Sequence, residues 1–436
     1  MTGIFDGLLA EIAGAASVRR IGRVVETRRG LAEVGGLDGA TIGDRVLIHS
    51  RDGLAGGEVL RLVPGRCTVL PDATGDGMAI DDRVELLGKA EIAPDDSWIG
   101  RVVDPAGRPL DGRPLLRGAR PRPLRAPAPA AATRRRLGGR LSTGVAIFDT
   151  LLPLVRGQRI GLFAGSGVGK SSLLARFARG VAADVVVIAL VGERGRELRE
   201  FTERVLGTAG MARSVVVAAT SDQSPLMRRM CALTAMAVAE HFRDQGLHVL
   251  LLVDSVTRFA EAHREVALAG GEDASLRGYP PSLNQAIMGL AERAGPGPEG
   301  SGDITAVFSV LVAGSDMEEP VADILRGVLD GHVVLDRRIA ERGRFPAIDL
   351  LRSVSRSLPD AATEDENALI RDARALLGTY DRAEMMIQAG LYATGSDPMI
   401  DRAIRLWPGL DAYLAENAPA TGIDGSFERL RACLKH

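Results

Sequence analysis

The sequence predicts a multi-domain chain: a small N-terminal β-barrel, a central α/β domain on a mostly parallel sheet, and a C-terminal helical domain. Three observations predict it. Short runs separated by Gly and Asp turns about every 8–12 residues fill the segment 21–90, as in a small closed barrel. Longer apolar runs then alternate with helix-forming stretches, the pattern of parallel strands with helices on both faces. From Asp360 to His436 the pattern is helical. The 436 residues, 46% of them apolar, suffice for two or three domains with sizeable cores. The expected organisation is a short helical extension over 1–20, the barrel over 21–90, a connector over 91–140, the α/β domain over 141–353 and the helical domain over 354–436.

Met1–Arg20 is short and amphipathic, with Ile4, Phe5, Leu8, Leu9 and Ile12 on one helical face. It lacks a basic start before an apolar core and a small-residue cleavage pattern, so it does not read as a secretory signal. Barrel strands are expected at Gly22–Glu26, Leu31–Val34, Arg45–Ile48, Gly57–Val63, Arg66–Leu70 and Arg83–Leu86. An echo between Ile42-Gly43-Asp44-Arg45-Val46 and Ile80-Asp81-Asp82-Arg83-Val84 fits repeated hairpin geometry. Barrels that bind single-stranded nucleic acid stack bases on aromatics. No Phe, Tyr or Trp lies between Ile21 and Lys89, so the barrel reads as structural or ring-forming and nucleic acid is not an expected partner. The connector segment Arg113–Arg140 holds nine Arg and no acidic residue. It reads either as a lipid or nucleic-acid patch or as an extended ribbon whose arginines meet acidic neighbours. Its prolines and alanines leave no amphipathic face, which favours the ribbon.

In the α/β domain, strands are expected at Gln158–Phe163, Asp184–Val191, Ser214–Ala219, His248–Val253 and Asp303–Val312, with helices including Ser171–Arg179 and Pro225–Gln245. Between the first strand and first helix sits Ala164-Gly165-Ser166-Gly167-Val168-Gly169-Lys170-Ser171, a phosphate-binding loop in its required strand–turn–helix context. Glycines let backbone N–H groups close around phosphate oxygens. Lys170 reaches the β- and γ-phosphates and the Ser171 hydroxyl can bind Mg²⁺. The candidate nucleotide-binding residues are Gly165, Ser166, Gly167, Val168, Gly169, Lys170, Ser171 and Ser172. Ala164 stands where the strict motif has Gly. Asp254, at the end of the apolar run His248–Val253, is either a second Mg²⁺ anchor or an ordinary acidic strand end; the nearby phosphate loop favours the metal role. Glu193 follows the run Asp184–Val191 and falls at the C-terminal sheet edge, where ligands of open α/β sheets bind. A carboxylate there can polarise an attacking water, although charged strand-to-helix turns are common.

Helices are expected at Glu364–Leu377, Arg382–Leu391, Pro398–Leu406 and Gly425–Leu434, with Pro398 after Ser396-Asp397 as a start signal. The net charge of −2 exerts no general pull toward nucleic acid or anionic lipid. Cys67, Cys231 and Cys433 are far apart, form no metal-ligand spacing and suggest a reducing compartment. No run of about 18 apolar residues predicts a membrane span.

Gly192–Glu197, Val253-Asp254-Ser255-Val256-Thr257-Arg258 and Gly278-Tyr279-Pro280-Pro281-Ser282 resemble the catalytic subunits of rotary ATPases. Arg156–Phe163, Leu329–Leu335 and Tyr392–Pro398 resemble more narrowly the flagellar protein-export ATPases, with injectisome ATPases as near relatives. The stretch Gly100–Asp104 through Asp111-Gly112 also resembles a motif of the family, and the likeness runs from about Gly22 to the last helix. It implies a RecA-like core that hydrolyses ATP with Mg²⁺. Glu193, Lys170, Arg194, Arg258 and Arg356 then form the catalytic set. Arg356 matches the arginine finger that reaches a neighbouring subunit's site; the alternative is an intrachain ion pair. Phe345 and Tyr392 match the pair that sandwiches adenine, against the alternative of core aromatics. Tyr279 is expected to face a central channel.

Further implications concern assembly. Glu193 and Arg356 share one chain, so a homohexamer builds every site from one gene product. The implied partners are a stalk protein, a negative regulator, the export gate and chaperone–cargo complexes. The implied location is the cytoplasm, docked at the inner membrane's cytoplasmic face. A rotary synthase subunit, which needs a second chain, and a hexameric RNA translocase are the competing readings. The short extension departs from relatives that bind a regulator there, and Ala313-Gly314-Ser315-Asp316 lacks an acidic residue common in the family.

Overall fold

The computed structural model describes residue 12 and residues 18–28, 30–73, 77–312 and 317–435. The apolar face expected around Ile4–Leu9 and the segment Ala313–Asp316 lie outside the described residues. The chain forms two compact units. One comprises the described residues up to Ala130 with Val185–Gly246 and Val253–Arg293; the other comprises Ala131–Asp184, Leu247–Leu252 and the residues from Ala294 onward.

In the first unit, six antiparallel strands close a barrel: β1 (Arg20–Arg28), β2 (Leu31–Gly35), β3 (Asp44–Ser50), β4 (Gly53–Val63), β5 (Arg66–Pro71) and β6 (Arg83–Lys89). Their order is β1-β2-β5-β4-β3-β6, and closure comes from β1 pairing with β6. Alternation drives the fold: Ala32 and Val34 of β2, and Val46 and Ile48 of β3, point inward and are fully buried with Val24, Val59, Val69 and Val84. The sequence echo has a physical counterpart. The Asp44 carboxylate accepts the Thr41 N–H at 2.8 Å, and the Asp82 carboxylate accepts the Ala79 N–H at 2.7 Å. Gly43 and Asp81 occupy the same left-handed slot, at φ 90° and 70°.

The connector is an extended ribbon, and its arginines meet carboxylates. Arg113 pairs with Asp111, Arg122 with Asp244 and Arg125 with Glu58. In the second unit Arg135 pairs with Asp303 and Arg140 with Glu366. Arg101–Val103 pairs in parallel with Ser214–Thr220, which pairs in parallel with Val185–Glu193. Helix Pro225–Asp244 packs on the last two of these strands and starts at Ser224, whose hydroxyl accepts the Met227 N–H.

Helix Pro225–Asp244 also carries Arg229, which is 6% exposed and donates to both oxygens of Glu58 at 2.7 Å. Burial alone would raise the Glu58 carboxyl, but Arg229 and Arg125 hold it below its ordinary value. A depressed folded-state pKa gives stability that is present above the ordinary carboxylate range and lost as the pH falls through the folded value. Arg229→Ala leaves a buried carboxylate short of its main partner. It is expected to destabilise by about 3–5 kcal/mol in chemical denaturation at neutral pH. The gap to wild type is expected to narrow on acidification, as Glu58 takes up a proton in both proteins.

In the second unit, Arg159–Ala164 pairs in parallel with Asp303–Leu311 on one side and Gly331–Leu335 on the other. Ile348–Ser355 adds an antiparallel edge to Gly331–Leu335. The expected strands of the α/β region are observed within one or two residues of their anticipated ends. The C-terminal helices differ from expectation. Glu364–Gln388 is one helix of 25 residues rather than two, begun by a full capping box between Thr363 and Glu366. Gly378 and Thr379 do not interrupt it: the Thr379 hydroxyl back-bonds to the Ala375 carbonyl and the backbone stays helical. Helix Pro398–Tyr413 runs through Pro408 instead of stopping near Leu406, and Leu406, Leu410 and Tyr413 are buried on both sides of the proline. Helix Gly422–Lys435 closes the chain. Among the described residues, no helix is long and apolar enough to cross a membrane.

Candidate nucleotide site

Strand Arg159–Ala164 is buried from Ile160 onward and delivers the phosphate loop. Ala164 explains the departure from the strict motif. It is the last strand residue, fully buried, with its carbonyl accepting the Val312 N–H at 3.1 Å, so a methyl group there costs the loop nothing. Beyond it Gly167 has φ 78° and Gly169 φ 88°, left-handed values that L side chains rarely adopt. Gly169 caps helix Lys170–Gly180 without a side-chain bond, so the helix begins at the loop, where a phosphate can meet its N-terminus. Ser166, Gly167, Ser171 and Ser172 are exposed. The Val168 side chain is buried, so its place in the loop is structural and only its backbone is available to a ligand.

Phe345 lies beside this loop. A Cβ built on Gly169 would come within 3.2 Å of the ring. Phe345 is 50% exposed, which is not how a core aromatic sits. Tyr392 is half-buried, and its hydroxyl donates to the Asp401 carboxylate at 2.9 Å and accepts the Asp397 N–H at 3.2 Å. Those bonds fix the ring at the start of helix Pro398–Tyr413. Arg356 follows strand Ile348–Ser355. Its N–H is held by the Asp330 carbonyl at 3.0 Å, and its flanking residues Ser355 and Ser357 are buried and bonded to the Pro153 carbonyl. Its own side chain is exposed and donates to the Arg326 carbonyl at 3.3 Å. Among the described residues no carboxylate pairs with it, so the intrachain ion pair is not formed.

Sequence reasoning overlooked Gln158. Its side chain is fully buried, with Nε2 donating to the Asp330 carbonyl and the Ser355 hydroxyl at 3.1 Å each and Oε1 accepting the Val155 N–H. It ties the base of the phosphate-loop strand to the strand that presents Arg356. An amide at the head of an otherwise apolar run was the signal available.

The first unit holds the other candidates. Strand Val185–Glu193 carries a bulge between Val191 and Glu193, and Gly192 at φ 70° makes it. The bulge redirects Glu193, whose carbonyl accepts the Ser221 N–H at 3.0 Å. A Cβ at Gly192 would lie 3.6 Å from Arg258, so Arg258 packs against this turn. The Glu261 carboxylate holds the Arg258 guanidinium at 2.9 Å and raises its pKa, with a smaller contribution from Glu193. The structure thus brings Glu193 and Arg258 into electrostatic reach. Arg194 points outward, exposed, with Glu197 at 3.3 Å. Asp254 ends strand His248–Asp254 at 3% exposure, and the Ser255 hydroxyl caps the next helix by accepting the Arg258 N–H. Tyr279 stacks under the Arg264 guanidinium, 5.4 Å from the ring centre.

Residues 144–355 match the nucleotide-binding domain of the ATP synthase alpha/beta family, and residues 362–431 match the type III secretion EscN ATPase C-terminal domain. The flagellum-specific ATP synthase of Caulobacter vibrioides is 44% identical, covering 96% of this chain and 98% of that protein. The type 3 secretion system ATPase of Xanthomonas euvesicatoria is 43% identical over 93% of this chain and 92% of its own. The assembled ATPase EscN of enteropathogenic E. coli, solved with its central stalk EscO, superimposes with a TM-score of 0.86 at 36% identity, covering 95% of this chain and all of that one. The phosphate loop, the mostly parallel sheet, the barrel before it and the helical region after it are therefore those of a nucleotide-binding enzyme, and the chain belongs to the ATP synthase alpha/beta family, in the branch of flagellum-specific and type III secretion ATPases.

Proposed function

We propose that this chain hydrolyses ATP to energise protein export through a flagellar type III apparatus. The observation that carries the reading is the near full-length likeness to flagellum-specific ATP synthases, in a chain that holds both Glu193 and Arg356. The triphosphate rests on the backbone of Gly165–Ser172, with Lys170 on its β- and γ-oxygens and adenine between Phe345 and Tyr392. Glu193 orients and polarises the attacking water, and Arg194 and Arg258 contact phosphate. Arg356 reaches the site of a neighbouring copy and meets the charge that develops on the transferring phosphoryl group. No group of three His, Cys, Asp or Glu among the described residues makes a metal cage. The Ser171 hydroxyl and the Asp254 carboxylate are hard oxygen donors, which suit a Mg²⁺ that takes its other oxygens from phosphate and water. Such an ion, when bound, neutralises charge on the β- and γ-phosphates.

Identical copies assemble as a homohexameric ring, with Tyr279 toward the channel and a stalk protein, as EscO serves EscN, as the axial partner. The export gate, chaperone–cargo complexes and a negative regulator are the further partners, met at the cytoplasmic face of the inner membrane. The barrel has no aromatic side chain between Ile21 and Lys89 for base stacking, so nucleic acid is not a partner. The similar identity to a type 3 secretion system ATPase favours the injectisome as the second reading.

A strain whose chromosomal copy carries Lys170→Ala is expected to lose motility and to keep respiratory growth. Normal swimming with failure on a non-fermentable carbon source would instead identify a rotary synthase subunit. Normal swimming with lost virulence-type secretion would identify the injectisome.

A further inference from the structure

Strand Arg159–Ala164 runs from a polar cluster at its head to the phosphate loop at its end. The cluster joins three segments of the second unit. Gln158 heads the strand, Asp330 precedes strand Gly331–Leu335, and Ser355 ends strand Ile348–Ser355, where it pairs with Gly331.

The hydrogen bonds fix the orientation of the Gln158 amide. Its Oε1 accepts the Val155 N–H at 2.9 Å, so its Nε2 faces the Asp330 carbonyl and the Ser355 hydroxyl, at 3.1 Å each. Ser355 in turn donates to the Pro153 carbonyl at 2.7 Å, which leaves its oxygen to accept from the amide. Both amide protons and the amide oxygen are spent inside the protein, and Gln158 is fully buried. A buried polar network whose members are paired is rigid. The Asp330 carbonyl also accepts the Arg356 N–H at 3.0 Å, and the Asp330 carboxylate accepts the Arg159 N–H at 3.0 Å. One peptide carbonyl therefore bonds both the head of the phosphate-loop strand and the backbone of Arg356.

Position decides which site this network can serve. Arg356 leaves the sheet at the head of strand Arg159–Ala164, whereas the phosphate loop leaves from the other end. Six strand residues separate them, about 20 Å, which is beyond the reach of an arginine side chain. We propose that Gln158 is a positioning residue for hydrolysis. Its amide sets Arg356 against the phosphate-loop strand of the same copy, and the effect is felt in the neighbouring copy's site rather than its own. The inference rests on the reading of Arg356 as an arginine finger.

Mixtures of variants test it. Gln158→Met keeps the side-chain length and removes the amide, and Ser355→Ala removes the acceptor at the far end of the bond. Each alone is expected to lose about 10–100-fold in turnover, the cost of a misplaced catalytic group, with ATP affinity unchanged in a calorimetric titration. Mixed with Glu193→Gln, which carries an intact finger, each should recover turnover well above the sum of the two alone. Mixed with Arg356→Ala, neither should recover, because the only finger present is the displaced one. A role confined to the copy's own phosphate loop reverses this pattern, and a general loss of stability treats the two mixtures alike. Recovery with Arg356→Ala, recovery in neither mixture, or wild-type turnover by both single variants would overturn the proposal. The pair Glu193→Gln with Arg356→Ala is the control. Its failure to recover would refute the shared site itself, and this proposal with it, whereas its recovery confines any failure to the role of Gln158.

Discussion

Glu193→Gln is expected to bind ATP as tightly as wild type and to lose about 10²–10⁴-fold in turnover. The substitution keeps size and shape at the bulge that Gly192 creates, so the strand-end geometry is retained. What it removes is the carboxylate charge that the proposed mechanism uses to polarise water. Loss in kcat with nucleotide affinity unchanged is the signature of an interaction made only in the transition state. Lys170→Ala should act on the other quantity. It removes the cation that the proposed mechanism places on the β- and γ-phosphates, so ATP binding itself is expected to disappear in a calorimetric titration while melting of the apo protein is unchanged. Hydrolysis by Glu193→Gln near the wild-type rate would remove Glu193 from the role of base.

Arg356→Ala is expected to lose about 10³-fold or more in turnover. The local structure makes this a clean test. Arg356 is exposed and has no carboxylate partner among the described residues, while its backbone is pinned through Asp330 and its neighbours Ser355 and Ser357. Truncation therefore removes no packing, and the melting temperature should hold. A drop in activity with unaltered melting assigns the residue to chemistry; a parallel drop in both assigns it to the fold.

The phosphate loop was legible because its chemistry demands residue types at fixed spacing. Even the mismatch at Ala164 became intelligible once that residue proved to be the end of a strand. The barrel was legible from short runs spaced by Gly and Asp turns, and the repeated Asp turn at Asp44 and Asp82 was visible as an echo. The roles proposed for Phe345 and Arg356 came only from resemblance, since an aromatic before Pro346 and an arginine between serines have no local signature. Proximity of Phe345 to Gly169 joins positions far apart in sequence, which periodicity does not encode. Gln158 was overlooked because a lone amide beside an apolar run reads as a strand start. The long helix Glu364–Gln388 was divided in the reading because Gly378 weakens a local pattern that packing of Ile370, Ala373, Leu376 and Ala383 overrides.

Shared sites between identical copies are the core of the proposed mechanism, and mixing two inactive variants tests them most directly. Purified Glu193→Gln and Arg356→Ala should each be inactive. Combined in equal amounts, they place some intact Glu193 sites opposite an intact Arg356 from a neighbouring copy, so phosphate release should recover to a fraction of the wild-type rate and rise with total protein concentration. No recovery on mixing, together with wild-type specific activity that does not change with protein concentration, would contradict the shared-site account.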